Sequence, residues 1–161
     1  MKRAAALILA GALAGPAAAR ESLGIYHGWG AFRDMTPYRC YAIAQPPQRG
    51  DRRWRPFASV STWPAQRIRG QIHVRLSRER RGDAPVTLKV DDQAFPMVAG
   101  PVNAWAPNAR VDAAIVAAMR SGQRLTVTSA TPGGAPFTDR YQLKGAASAI
   151  DAAALGCARR G

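Results

Sequence analysis

The side chains best suited to chemistry in this 161-residue chain are few: His27 and His73 are its imidazoles, and Cys40 and Cys157 its thiols. A zinc site needs three or four His, Cys or carboxylate ligands at compact spacing, which two lone histidines and two distant cysteines do not supply. Cys40 served by His27 or His73 would make a nucleophile, but that arrangement leaves Cys157 unpaired. In an oxidising compartment the simpler expectation is a Cys40–Cys157 disulfide. It would close a loop of over a hundred residues, for which chain entropy gives about 4 to 5 kcal/mol. No Gly-x-Ser-x-Gly elbow occurs for a serine hydrolase. Asp91 and Asp92 are adjacent in an expected turn, where their carboxylates diverge instead of converging as a glycosidase pair must. Gly24, Gly28 and Gly30 do not open a helix after a strand, so they form no phosphate-cradling loop. The chain is therefore expected not to be an enzyme, with no metal and no cofactor.

Arginine is the other chemistry on offer. Between Arg49 and Arg81 stand ten arginines against only Asp51 and Glu79. Four positions near the middle, Arg67, Arg69, His73 and Arg75, alternate with apolar residues. On one face of a strand, same-side residues recur about every 6.7 Å, comparable with the charge spacing of an extended polyanion. Trp54 and Trp63 lie near enough in sequence to add stacking or cation–π contacts. The plainer reading is a solvated strand face plus a basic loop with both tryptophans in the core. The net charge of +13 draws anions of any kind without choosing among them.

The N-terminus supplies the compartment. Met1, Lys2 and Arg3 precede the apolar run Ala4 to Ala14, and Ala17-Ala18-Ala19 stands before Arg20. That is the pattern of a secretory signal peptide over residues 1–19, too short to be a retained span. Its removal leaves about 140 residues, 20–161, enough for one domain in the periplasm or outside the cell. There, acidic envelope polymers, anionic lipid or lipopolysaccharide are the available anions, and nucleic acid is disfavoured because the compartment holds little of it.

The elements that must position these residues read mostly as strands. Two short ones, near Gly30 to Arg33 and Arg39 to Ala44, are joined by a turn at Pro37, and Phe57 to Trp63 resumes extended structure after a loop from Gln48 to Pro56. Between Arg67 and Ser77, Ile68, Ile72, Val74 and Leu76 alternate with Arg67, Arg69, Gln71, His73, Arg75 and Ser77, placing one set in the core and the other in water. Gly70 falls on the apolar face and marks a bulge or a close backbone approach. Val86, Leu88 and Val90 point inward from the next strand, and Asp91-Asp92 turns it into Ala94 to Val98. Gly100 to Pro107 reads as a loop. Asn108 caps a helix in which Asp112 suits the first turn and Arg120 the last, with Gly122 ending it. Leu125 and Val127 form a strand, Phe137 to Leu143 the last one, and an alanine-rich helix, Ala147 to Leu155, delivers Cys157. The expected fold is mainly β, an antiparallel β-sandwich with two short helices in the C-terminal half.

The stretch from Val86 to Cys157 resembles the second half of the invasion-associated locus B family, small exported proteins of alphaproteobacteria. The resemblance rests on Val86-Thr87-Leu88-Lys89-Val90-Asp91-Asp92, the helix end Ala118-Met119-Arg120-Ser121-Gly122, the strand Leu125-Thr126-Val127 and the closing Tyr141-Gln142-Leu143-Lys144-Gly145. Trp29 and Arg39-Cys40-Tyr41-Ala42-Ile43 resemble the family's opening. The chain departs from typical members by lacking further cysteines near Trp29 and around Asn103 to Ala106, which places it in a distant branch. The resemblance implies an exported β-sandwich, linked in some members with host-cell invasion, and brings no defined reaction or ligand. The functional expectation is an exported, non-enzymatic envelope or binding protein. The alternatives are a basic protein docking on polyanions and a small periplasmic hydrolase with an unrecognised site.

Overall fold

The computed structural model describes residues 20–47 and 55–158. The expected leader, residues 1–19, and Arg49, Arg52, Arg53 and Trp54 of the basic loop lie outside the described residues. The strands are β1 (Arg20–Tyr26), β2 (Trp29–Met35), β3 (Tyr38–Ala44), β4 (Phe57–Trp63), β5 (Ile68–Arg75), β6 (Val86–Val90), β7 (Gln93–Ala99), β8 (Asn103–Trp105), β9 (Arg124–Ala130) and β10 (Pro136–Gln142). The helices are α1 (Ala109–Ser121) and α2 (Ala146–Ala158), both in the C-terminal half as expected.

All strand pairs are antiparallel, in the order β1-β2-β3-β4-β5-β8-β7-β6-β9-β10. The ladder curls over on itself. The indole N–H of Trp29 in β2 donates to the carbonyl of Gln142 in β10 at 2.8 Å, so strands near opposite ends of the order meet at one point. Inward residues from both halves, among them Trp29, Ile72, Leu88, Val127 and Tyr141, then share one core. This is the sandwich-like arrangement that alternating strands produce when each buries one face.

The helices close the core from the side. Asn108 accepts the N–H of Val111 at 3.1 Å with its side chain, and the N–H of Gly122 reaches the carbonyl of Ala118, so both ends of α1 are satisfied where the sequence placed them. α1 packs over β5, α2 over β1, β2 and β3, and the two helices touch each other. Cys157 on α2 is bonded to Cys40 on β3, with 5.7 Å between their Cα atoms. Among the described residues no helix is long and apolar enough to cross a membrane.

Two strands were not expected. β1 is interrupted by a register shift between Ser22 and Gly24, which breaks its period of two, and β8 is three residues long inside what read as a loop. β8 also alters the far side of β5. His73 and Arg75 were expected to be exposed, but they are half-buried, because β8 pairs with this part of β5 and sets Trp105 against His73. Ser77 was placed in water; it is buried, its N–H donating to Asp139 Oδ2 at 2.9 Å. Ile72, Val74 and Leu88 are buried, and Arg69 is exposed, as the alternation requires.

Candidate binding cleft

The approach to β5 sets the geometry of the cleft. A one-turn 3-10 helix, Pro64–Gln66, ends at Arg67, which takes the left-handed conformation at φ 56°. Opposite β4, Ser61 pairs with Gln71 and Trp63 with Ile68, so β5 carries an extra residue there, and Gly70 supplies φ +70°. This is the bulge that Gly70 marked in the sequence.

The cleft, of about 990 Å³, opens between this bulged end of the sheet and the two helices. Its sheet wall holds Val60, Thr62, Ile68 and Gly70. Ala113, Val116, Ala117 and Arg120 come from α1, and Ile150, Ala153, Ala154, Cys157 and Ala158 from α2. The α1 set, and the α2 set apart from Leu155, which also lines the cleft, follow the three- and four-residue spacing of one helix face. Alanine at these positions leaves the space that longer side chains would fill. Arg67, Arg69 and Arg120 also line it. Arg120 is held at 2.7 Å by Asp151, whereas the guanidinium groups of Arg67 and Arg69 have no ion-paired or hydrogen-bonded partner among the described residues, and both residues are exposed.

Most other arginines near the strands are already engaged. Arg80 donates to the carbonyls of Gly100, Ala99, Arg81, Gly82 and Ala84, which makes it a clamp for the loop before β6. Arg81 pairs with Asp83, and Arg33 with Glu21. Asp34 receives both Arg20 and Arg39; burial pushes its carboxyl upward, but these two guanidiniums hold it below the usual aspartate range.

The four residues of the expected stripe do not gather in one place. Arg67 and Arg69 line the cleft, and His73 and Arg75 do not. His73 Nε2 lies 2.9 Å from Asn103 Oδ1, its ring stacked on Trp105 at 5.1 Å and meeting Phe57 edge-on at 5.0 Å. Burial is the main cause lowering its pKa, Arg75 and Arg39 add to it, and the Asn103 contact acts the other way. It sits in a cross-strand row of Ile25, Gly30, Ile43, Ser59, His73, Trp105 and Val98 on the face away from the helices. The Nε of Arg75 is buried without a hydrogen-bond partner. Trp63 is half-buried and holds the Arg39 guanidinium 5.0 Å from its ring.

The other candidate residues have structural work. His27 is an exposed turn residue between β1 and β2 at φ 55°. Asp91, at φ 48°, accepts the N–H groups of Gln123 and Arg124, each at 3.0 Å. Among the described residues no group of three or more His, Cys, Asp or Glu could hold a metal ion. Sequence reasoning missed the part of Arg120 in the cleft, because its only local signal is favourable charge at a helix end.

A mainly antiparallel β fold with two C-terminal helices, its third strand tied by a disulfide to its last helix, defines the structural class. The family model for the Invasion associated locus B (IalB) protein matches residues 37–154, and this chain belongs to that family. The solved structure of invasion associated protein B from Bartonella henselae is 20% identical, with a TM-score of 0.60 over 85% of this chain and 99% of that one. That likeness shows a shared fold. No curated protein matches the chain.

Proposed function

We propose that this chain is an exported, non-enzymatic binding protein of the cell envelope that docks on anionic envelope material. The observation that carries the reading is the pair Arg67 and Arg69, whose exposed guanidinium groups have no partner among the described residues, beside a largely apolar cleft on a chain whose net charge is +13, or +11 without Lys2 and Arg3. Guanidinium groups donate in a fixed fork suited to carboxylate and phosphate, and a strongly basic protein accumulates at surfaces of opposite charge. A disulfide fits an oxidising compartment, and the leader pattern at residues 1–19 points the same way.

Vesicles of phosphatidylglycerol test it. Mature protein is expected to sediment with them at low salt, to detach as salt rises, and to bind more weakly when Arg67→Gln and Arg69→Gln are combined. Wild-type protein that ignores these vesicles at low salt overturns the reading.

A further inference from the structure

We infer that the cleft between the bulged end of β5 and helices α1 and α2 holds a single-chain amphiphile with an anionic head, a long-chain fatty acid, with the head at Arg67 and Arg69. The inference rests on the proposed anionic docking and names the ligand class that enters the same arginine site.

The volume, about 990 Å³, lies at the upper end of the range for small-molecule sites. The walls decide what fits. From α1 and α2 they offer mainly alanine methyl groups with Val116, Ile150 and Leu155, and Leu155 leaves 57% of its surface in water although its neighbours are apolar. A saccharide or peptide seated along the helix walls would have polar groups stripped of water there, facing mainly alanine methyl groups, Val116 and Ile150. An alkyl chain loses no hydrogen bond in the same place and removes apolar surface from water.

The charges decide which end is polar. Among the described residues no carboxylate lines the cleft, and Asp151, beside the lining residue Ile150, is engaged by Arg120. Arg67 and Arg69 can only donate, so a head that only accepts and carries negative charge complements them. The α1 wall from Ala113 to Arg120 runs about 10 Å, long enough to lie along an extended alkyl segment. Chain length therefore becomes a readout: each added methylene that stays inside the cleft tightens binding about fourfold.

The experiment displaces a dansylated undecanoic acid from the oxidised mature protein with octanoate, laurate, palmitate and palmitate methyl ester. Saturable displacement is expected, strengthening from octanoate to laurate, with the methyl ester weaker than palmitate by about tenfold or more. Combined Arg67→Gln and Arg69→Gln lowers palmitate affinity by a similar factor, and Arg75→Gln leaves it unchanged. Ala117→Phe and Ala154→Phe, both at exposed positions lining the cleft, each block the probe while far-ultraviolet circular dichroism stays that of the wild type. No saturable displacement, no dependence on chain length, or full binding in both phenylalanine variants overturns the inference. If the protein binds phosphatidylglycerol vesicles but no palmitate, this inference falls and the docking reading stands. Palmitate binding without vesicle attachment does the reverse.

Discussion

The carboxylate of Asp112 accepts the backbone N–H of Ile72 at 2.8 Å, joining the first turn of α1 to the middle of β5 across 40 positions of sequence. The donor needs this partner because β8 runs alongside β5 only from His73 to Arg75, leaving Ile72 just beyond the end of the short strand. Asp112→Ala is expected to cost about 1 to 3 kcal/mol, the penalty of a buried donor left unmade. Asp112→Asn should cost less, because the amide oxygen still accepts. Urea unfolding of the two variants beside the wild type checks the order, and equal stabilities would refute it.

Asp139 gives a pH prediction. It is buried and accepts the N–H of Ser77, and burial is the main cause raising its pKa above the ordinary value. The folded state therefore holds its proton to higher pH than the unfolded chain. The stability from this group is fully present below the usual aspartate pKa of about 3.9 and is lost as pH rises through the raised folded value. Asp112, raised by the same cause, acts in the same sense. The stability advantage of wild type over Asp139→Asn should shrink as pH rises from that range and then level off. Thermal melts across acid pH measure it, and an advantage that grows instead refutes the assignment.

His73 has the opposite sign. Its folded pKa is lowered, chiefly by burial, so its contribution is present above about pH 6.5 and is lost as pH falls through the lower folded value. A ring-proton NMR titration should place its midpoint below about 6.5. A midpoint above that value would contradict the packing between Phe57 and Trp105.

The disulfide spans 117 positions and joins the third strand to the last helix. Protein purified from an oxidising compartment should contain no thiol that iodoacetamide can label before reduction. Reduction, or the Cys40→Ser and Cys157→Ser pair, should remove about 4 to 5 kcal/mol by the chain-entropy account. Two labelled thiols in the native protein would refute the bond.

Gly145 stands at φ +89°, and a Cβ there would lie 2.1 Å from the carbonyl oxygen of Tyr26. Backbone cannot give way as a flexible side chain can, so Gly145→Ala should destabilise far more than Gly133→Ala, whose position is open. Parallel melting curves decide the comparison.

How much of this was legible depends on how local the cause is. Ile72 and Val74 alternate with polar neighbours, so their burial follows from the period of a strand. Asn108 and Gly122 mark the ends of α1 by chemistry confined to one turn. β1 escaped notice because the extra residue between Ser22 and Gly24 breaks its alternation. β8 has only three residues, and its pairing comes from β5 and β7. Ser77 lies inside because Asp139 arrives from β10 to meet its N–H. Arg67 and Arg69 stood out by composition, but the apolar walls beside them come from two helices whose approach no local spacing encodes.

The meeting of the ladder's two ends bears on how the protein behaves when crowded. An unpaired strand edge is a template for another chain's backbone and hence for polymerisation. Here the indole of Trp29, in the strand next to β1, is bonded to Gln142 at the end of β10, and Gly145 lies against Tyr26 at the end of β1, so the two edges meet at that end. At the outer end, β1 presents Arg20 and Glu21, and a charged edge discourages a second strand from adding. A sheet whose ends meet or carry charge gives its copies little backbone on which to grow fibres.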